Sequence, residues 1–375
     1  MNPTPDLAAL VDRDRMRKFV EHLAAFNTRN TNTPELKEAA EWVQSQYAAL
    51  PGFKTELFKY VLPKSRRAPE DKEVVEVVAR RAGTSGRAIL IGGHIDTINL
   101  SADIFTGRAP GANDDASGSA VALEVARIMS TLTTKQDLIH VAFSGEEQGL
   151  NGSKALAAHA RKENWKLDAV LSNDMVGNSR NNYGQKDTHH VRVFSDEGND
   201  KLPNYSSREL ARFAEWITRG RVKEFGIKLV LRADRFGRGG DHTPFHNEGF
   251  PAIRLVEVHE EYSRQHTPDD LPEHVDWNYL ANACRINLLT FASLAQADVA
   301  PSKVLIKRDQ SHDTTLTWEA TPGVCYAVYW RDTACATWQD CEHVGAVDHV
   351  TIKKVNKDDY FFAVGAEGGV PVAAL

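Results

Sequence analysis

The chain has 375 residues, of which 42% are hydrophobic and 26% are charged, and its formal net charge is −6. This is the composition of an ordinary soluble globular protein, and no run of Lys and Arg is present that would track nucleic-acid phosphates. No apolar stretch approaches the ~18 residues that a membrane span needs, so we expect neither nucleic acid nor a membrane span among its interactions.

The N-terminal residues lack the apolar core of a signal peptide. If a leader was removed from a longer precursor, a secreted or periplasmic location is favoured. Cys335 and Cys341 are close enough in sequence to form a local disulfide in an oxidising compartment, but Cys325 in the same region would then have no partner there. The compartment therefore stays open.

Two amphipathic helices are predicted near the N-terminus, at residues 15–26 and 33–50. In the second, Thr33 has the position of an N-cap and Pro34 that of the first helical residue. The short basic segment at residues 64–67 is interpreted as a solvated loop.

Beyond residue 87, apolar runs rich in β-branched residues alternate with helical patterns. The predicted strands are residues 88–93, 138–144, 168–174, 190–196, 227–233 and 251–258, and the predicted helices are 116–132, 151–163, 206–220 and 277–296. Continuous apolar strands that alternate with helices predict an α/β fold, with a mixed, mostly parallel sheet sandwiched by helices.

The pattern changes at about residue 301, after which only short alternating strands are predicted. They cover residues 314–320, 324–332, 349–355 and 359–369, with turn residues between them. Such a segment predicts a small all-β sandwich. We therefore divide the chain into an α/β domain, residues 1–299, and a β-sandwich domain, residues 300–375.

Polar side chains follow the predicted strands of the α/β domain. They are His94 and Asp96 after residues 88–93, Glu146 and Glu147 after 138–144, Asp174 at the end of 168–174, and His266 eight residues past 251–258; Asp114 and Asp115 precede the helix at 116–132. In an open α/β sheet, ligands bind outside the carboxyl ends of the strands. We therefore expect these groups to meet at one edge of one sheet.

Each of these residues has a simpler interpretation when it is taken alone. Paired aspartates before a helix are commonly N-caps, and paired glutamates commonly lie on the surface. Their expected position at one edge of the sheet favours a shared site over these separate interpretations, because so many carboxylates in one place would repel one another without a cation. A metal site explains the whole set.

Imidazole and carboxylate together suit Zn²⁺, and a pair of ions ~3.5–4 Å apart can share one bridging carboxylate and one water. A further carboxylate beside the metal can accept the proton of that water and return it to a leaving amine. We therefore interpret Glu146 as the proton shuttle and Glu147 as a metal ligand.

Five segments, GGHIDT, PGANDDASG, SGEEQGL, SNDMVG and HTPDD, resemble the di-zinc aminopeptidases of the bacterial leucyl aminopeptidase type. Their superfamily also holds glutamate carboxypeptidase and glutaminyl cyclase. The resemblance covers residues 15–296 and implies the zinc exopeptidase fold, with two Zn²⁺ ions for which Mn²⁺ or Co²⁺ can substitute.

The resemblance also implies a role for each site residue. His94 and Asp174 would bind one zinc ion, Glu147 and His266 the other, and Asp114 would bridge both. Glu146 would be the general base, and Asp96 would orient a metal-binding imidazole. The peptide bond between Asp114 and Asp115 would be cis.

Two further stretches resemble parts of known proteins. Residues 235–255 resemble the segment that shapes the substrate pocket of the family, where Asp241 and His242 match an Asp-His pair and would contact substrate; the alternative is a glycine-rich loop with a capping aspartate. The C-terminal segment resembles a fibronectin type III domain, with Trp318, Tyr326 and Tyr360 in its core. Such a domain would bind or space a partner.

The leading hypothesis is a zinc-dependent aminopeptidase that hydrolyses N-terminal residues from peptides or small amides. One alternative is carboxypeptidase chemistry, in which Arg238 or Arg254 would hold the terminal carboxylate of the substrate. A second is glutaminyl cyclase chemistry, which uses one zinc ion. A third is a non-catalytic binding protein that keeps the same fold.

Overall fold

One eight-stranded sheet organises most of the chain in this computed structural model, which describes residues 5–196, 201, 206–233, 239–308 and 312–375. Its strands are β1 (Phe53–Leu62), β2 (Lys72–Arg81), β3 (Ala88–His94), β4 (Asp137–Phe143), β5 (Leu167–Asn173), β6 (His190–Phe194), β7 (Gly226–Val230) and β8 (Ala252–Glu257). They are hydrogen-bonded in the order β1-β2-β4-β3-β5-β8-β6-β7.

The central strands β4, β3, β5 and β8 are mutually parallel. Strands β1 and β2 extend the sheet antiparallel at one edge, and β6 pairs antiparallel with β8 towards the other edge. Every residue of β3 and β4 is buried, which explains why these strands are apolar without alternation. The expected mixed sheet is confirmed.

Helices cover both faces of this sheet. They are α1 (Pro5–Ala9), α2 (Arg13–Ala24), α3 (Glu35–Ala48), α4 (Ala116–Met129), α5 (Asn151–Lys162), α6 (Ser206–Thr218), α7 (His242–Asn247) and α8 (Trp277–Ala295). Successive residues of a strand point to opposite faces, so Ile89 and Ile91 join the core under α4 and α8, whereas Leu90 joins the core under α5 and α7.

The start of α3 differs from the prediction. Thr33 does not cap the helix, because its hydroxyl donates to the carbonyl of Asn30 at 3.0 Å. Pro34 occupies the N-cap position without a side-chain hydrogen bond, and the helix begins at Glu35. By contrast, Asp12 caps α2 through the backbone N–H groups of its first turn.

The C-terminal segment forms two small antiparallel sheets. Its strands are β9 (Ser302–Ile306), β10 (Thr314–Glu319), β11 (Tyr326–Asp332), β12 (Asp340–Gly345), β13 (His349–Ile352), β14 (Tyr360–Ala366) and β15 (Val372–Ala373). They pair as β13-β10-β9 and as β12-β11-β14-β15. The expected all-β segment is confirmed, whereas the domain boundary at residue 299 stays a prediction.

The cysteines of this segment are not paired with each other in the structure. Cys325, Cys335 and Cys341 are all free thiols. Among the helices of the described ranges, none combines the length and the apolar character that crossing a membrane requires.

The four-stranded sheet packs against helix α6. Trp338 is only 1% exposed and lies beside Tyr329, whose ring meets that of Trp216 on α6 edge-on at a centroid distance of 5.9 Å. Arg212 of α6 also donates from Nε to the carbonyl oxygen of Ala336 at 2.8 Å. Apolar packing and a hydrogen bond therefore fasten the sandwich to the α/β part of the chain.

We expect Trp338→Ala to lower the free energy of unfolding by about 3–5 kcal/mol, because it leaves a cavity where the sandwich meets α6. Urea denaturation followed by circular dichroism measures the loss. Phe361→Ala, at a side chain that is 48% exposed, is the control and should cost clearly less. Equal losses in the two variants would show that Trp338 does not contribute through its burial.

Candidate metal centre

The predicted site residues lie at the carboxyl ends of the parallel strands. His94 is the last residue of β3, Glu146 and Glu147 follow β4, and Asp174 follows β5. His266 lies in the long connection between β8 and α8. Because these strands run side by side in the same direction, their ends bring together residues that are far apart in sequence.

The two oxygens of Asp114 face two different imidazoles. Oδ1 of Asp114 lies 3.1 Å from Nε2 of His94, and Oδ2 lies 3.1 Å from Nε2 of His266. His94 Nε2 is also 3.9 Å from Oδ1 of Asp174, and His266 Nε2 is 3.0 Å from Oε1 of Glu147. The structure thus brings all five predicted metal ligands together, with Asp114 at the centre.

The chemistry of this cluster calls for additional positive charge. Burial lowers the pKa of His94, but hydrogen bonds to Asp114 and Asp174 outweigh burial and raise the pKa well above its ordinary value. Burial also lowers the pKa of His266, yet the neighbouring Glu147 and Asp114 raise it to about 11. Two imidazoles and three carboxylates are a donor set that fits a pair of zinc ions.

A backbone hydrogen bond joins the loop of His266 to the segment that follows β3. The residue has φ +60°, in the left-handed region, and its carbonyl accepts a hydrogen bond from the backbone N–H of Leu100 at 2.9 Å. Its side chain keeps 22% exposure, whereas Asp114 and Glu147 are buried. The cluster is therefore open to solvent on the side of His266.

Asp96 holds the backbone of the two glutamates. Its Oδ1 and Oδ2 accept the N–H groups of Glu146 and Glu147 at 3.3 and 3.1 Å. Nδ1 of His94 lies 3.0 Å from the backbone carbonyl of Asp96 and 3.6 Å from its carboxylate. Asp96 therefore orients the imidazole mainly through its carbonyl and positions the glutamates through its side chain.

The two adjacent aspartates have different surroundings. The peptide bond between Asp114 and Asp115 is cis, as predicted. The side chain of Asp115 accepts the N–H groups of His94, Gly118 and Met175 at 2.9–3.0 Å. Asp115 thus joins the ends of β3 and β5 to the first turn of α4, while Asp114 faces the two imidazoles.

Asp270 and Gln265 also support Asp114, and the sequence analysis did not identify either of them. Asp270 accepts the N–H groups of Asn113 and Asp114, both at 2.9 Å. Gln265 donates from Nε2 to Oδ2 of Asp114 at 2.8 Å. Asp270 lies in the motif HTPDD, but no pattern in the sequence indicates that its partner is a backbone 156 residues away.

Glu146 is partly exposed, whereas Asp114, Glu147 and Asp174 are buried. Burial and the negative charges of Glu147 and Asp174 raise the pKa of Glu146 well above its ordinary value, although His94 opposes the change. A carboxyl group with a raised pKa is suited to exchange protons near neutral pH.

Arg254 does not face solvent at the site. It is 1% exposed, and its Nη2 lies 2.9 Å from Oδ2 of Asp174. This ion pair contradicts a role for Arg254 in holding the terminal carboxylate of a substrate. Arg238, the other arginine considered for that role, lies outside the described residues.

Asp241 and His242 are at the start of α7, 2% and 0% exposed. Asp241 occupies the N-cap position, but it makes no side-chain capping hydrogen bond, so the simpler interpretation as a cap is wrong. Burial and the charges of Asp96 and Asp174 raise the pKa of Asp241 to about 7, although His94 opposes the change. A substrate contact for this pair stays a prediction, since residues 234–238 before it lie outside the described ranges.

Comparison with known proteins identifies relatives that cover nearly the whole chain. Residues 76–291 match the model of peptidase family M28. The chain is 32% identical to a protein of Leptosphaeria maculans named "Probable zinc metalloprotease", over 98% of this chain and 95% of that protein. A protein of Pyrenophora tritici-repentis with the same name is also 32% identical, over 98% and 85% of the two chains.

Solved structures share the fold. LapB from Legionella pneumophila has a TM-score of 0.59 at 22% identity, over 76% of this chain and 72% of that chain. An aminopeptidase from Aneurinibacillus sp. strain AM-1 has a TM-score of 0.59 at 18% identity, over 77% and 95%. Glutaminyl cyclase from Fimbriiglobus ruber has a TM-score of 0.57 at 19% identity, over 74% and 94%. At identities this low, the structural similarity establishes a common architecture and nothing more.

We expect Zn²⁺ to stabilise the metal-free protein by about 4 kcal/mol at a thousandfold excess over its Kd, because the ion binds only the folded cluster. Asp114→Asn should lose most of this gain, since both imidazoles then lack their shared carboxylate. Thermal unfolding with and without Zn²⁺ measures the effect. Asp269→Asn, at a neighbouring exposed position, is the control. An undiminished gain in Asp114→Asn would argue against metal binding at this cluster.

Proposed function

The chain belongs to peptidase family M28, and on this basis we propose that it is a zinc-dependent exopeptidase that removes N-terminal residues from peptides. The observation that carries the proposal is the position of Asp114, whose two carboxylate oxygens each face a different imidazole. The names of the relatives, as zinc metalloproteases, support zinc as the metal.

Five side chains would hold two zinc ions. His94 and Asp174 would bind one ion, Glu147 and His266 the other, and Asp114 both. When bound, such ions polarise the scissile carbonyl and acidify water. Three carboxylates would offset most of the charge of two dications. Without metal, the same carboxylates raise the pKa values of both imidazoles.

Glu146 would transfer the proton. Its backbone N–H is held by Asp96, and its carboxyl group is partly exposed. It would accept a proton from the attacking water and give it to the nitrogen of the scissile amide. The nitrogen would then leave as a neutral amine and not as an anion. The raised pKa of Glu146 suits both the uptake and the release of this proton.

The charge of the site favours a substrate with a free α-amine. Asp114, Glu147 and Asp174 lie beside the two imidazoles, and Glu146 is partly exposed next to Glu147. A cationic terminus would be attracted to this group of carboxylates. The ion pair of Arg254 with Asp174 supports an aminopeptidase rather than a carboxypeptidase, because this arginine is already occupied.

Glutaminyl cyclase chemistry is the second candidate, because cyclases are among the proteins that share this fold. The cyclases of this superfamily use one zinc ion. His94, which lies beside Asp114 and Asp174 in addition to the pair His266 and Glu147, favours two ions here. A zinc stoichiometry of one would favour the cyclase, and a stoichiometry of two the peptidase.

We also infer that the C-terminal sandwich is of the fibronectin type III kind. Its three-stranded and four-stranded sheets enclose Trp318 and Tyr326, whose rings are 5.7 Å apart, and Tyr360 packs against the same core. The contact with α6 leaves its other faces available to bind or space a partner.

Activity on aminoacyl-nitroanilides tests the proposed function directly. We expect hydrolysis of substrates with a free α-amine, loss of activity after chelation and recovery on addition of Zn²⁺, with Mn²⁺ and Co²⁺ as alternatives. N-acetylated substrates are the control and should react far more slowly, since they lack the cationic terminus. Preference for N-blocked substrates with a free carboxylate would instead favour a carboxypeptidase.

Glu146→Gln should keep its metal and lose about 10²–10⁴-fold in kcat, because glutamine cannot accept the proton. Metal content by elemental analysis and steady-state kinetics measure the two effects separately. Glu163→Gln, at an exposed position beyond α5, is the control and should retain full activity. Near-normal turnover in Glu146→Gln would remove this residue from the mechanism.

A further inference from the structure

The turn that carries the two glutamates is contacted by the β1–β2 hairpin as well as by Asp96. We call residues 144–150, between β4 and α5, the glutamate turn. Tyr60 near the end of β1 and Arg67 in the loop between β1 and β2 both contact it. We infer, on the basis of the proposed function, that the hairpin positions Glu146 for proton transfer, with Tyr60 and Arg67 as positioning residues.

Tyr60 forms a short chain of hydrogen bonds through the first residue of the turn. Its hydroxyl lies 3.0 Å from Oγ of Ser144, and Oγ of Ser144 donates to the carbonyl of Val75 in β2 at 2.7 Å. A serine hydroxyl has one proton, and here that proton is directed to Val75. The hydroxyl of Tyr60 is therefore the donor to Ser144, and both strands of the hairpin bind this residue.

The same hydroxyl packs against the residue that precedes Glu146. Gly145 has φ +69°, and a Cβ atom at this position would lie 2.4 Å from Oη of Tyr60. Only glycine therefore satisfies both the backbone conformation and the close approach of the tyrosine. The backbone that leads into Glu146 is in van der Waals contact with the hairpin.

Arg67 binds the residue that follows Glu146. Its Nη1 donates to the backbone carbonyl of Glu147 at 2.5 Å, while the N–H of Glu147 donates to Asp96. The sequence analysis predicted a solvated loop at residues 64–67. This prediction is wrong for Arg67, which binds the backbone of Glu147. Arg66 is exposed, whereas Arg67 is partly buried against the glutamate turn.

These contacts fix the backbone on both sides of Glu146. The carboxylate itself is partly exposed, so its position depends on the position of the backbone of Glu146. Proton transfer needs heavy atoms within about 2.6–3.2 Å, and a displacement of ~1 Å at a reacting group can cost ~10²-fold in rate. A contact that holds the turn can therefore affect the rate without touching substrate.

Tyr60→Phe tests the first contact, because it removes only the hydroxyl. We expect kcat to fall by about 10–100-fold, with KM and zinc content within twofold of the unsubstituted protein. Ser144→Ala should give at least the same loss, because it removes this hydrogen bond and also the one to Val75. The double variant should lose no more than Ser144→Ala alone, since the bond between Tyr60 and Ser144 is already absent from that variant. Tyr279→Phe is the matched control, because it also removes one hydrogen bond from a buried tyrosine, to the carbonyl of His190.

Arg67→Met tests the second contact, with Arg66→Met as a control that removes the same charge from the same loop. We expect Arg67→Met to lower kcat by about tenfold or more and Arg66→Met to leave it unchanged. Arg67→Lys should recover part of the activity, since lysine can still donate to the carbonyl of Glu147.

Three results would overturn the inference. Unchanged kcat in Tyr60→Phe and Arg67→Met would show that the hairpin does not position Glu146. Equal losses in Tyr60→Phe and Tyr279→Phe, or in Arg67→Met and Arg66→Met, would indicate a general loss of stability or charge. An increase in KM confined to peptides with a free carboxylate would make Arg67 a substrate-binding residue. Failure of the proposed function is distinct, since it appears as an inactive unsubstituted protein or an active Glu146→Gln.

Discussion

Mutual repulsion between buried carboxylates is the constraint on which this structure depends. Asp114 contacts the imidazoles of both His94 and His266, while Asp174 lies beside the first and Glu147 beside the second, in surroundings where each isolated charge would be costly. Without metal, protonation of those imidazoles and the cation of Arg254 compensate part of this negative charge. A cluster of this kind persists in a folded protein when cations complete it, and the rest of the architecture serves to hold it in place.

Backbone amides do much of this holding, through carboxylates that are not expected to bind metal. Asp96, Asp115 and Asp270 each accept at least two backbone N–H groups from residues distant in sequence. A carboxylate accepts such bonds from several directions, so one side chain can join loops that follow different strands. The acidic composition of the site therefore has two origins: some carboxylates face the imidazoles, and others fix the loops that present them.

The sequence predicts the parts of the fold whose signal is local. Strands β3, β4, β5 and β8 are buried on both faces and appear as continuous apolar runs, so their positions were predicted to within a residue or two. The residues that the structure brings together could be proposed from the sequence because each follows such a strand or precedes a helix. Strands β1 and β2 were not predicted, since exposed and charged residues interrupt their apolar pattern at the edge of the sheet. Asp270 was missed for another reason: its function lies in backbone contacts that leave no pattern.

The adjacent pairs of like charge, at residues 114–115 and 146–147, follow from the same geometry. Neighbouring side chains leave the backbone in different directions, so one can face the metal site while the other faces the protein or the solvent. Asp114 faces the imidazoles and Asp115 binds the backbone of three elements. Glu147 faces His266, whereas Glu146 is partly exposed. Under the proposed function, one pair would combine coordination with support, and the other would combine coordination with proton transfer.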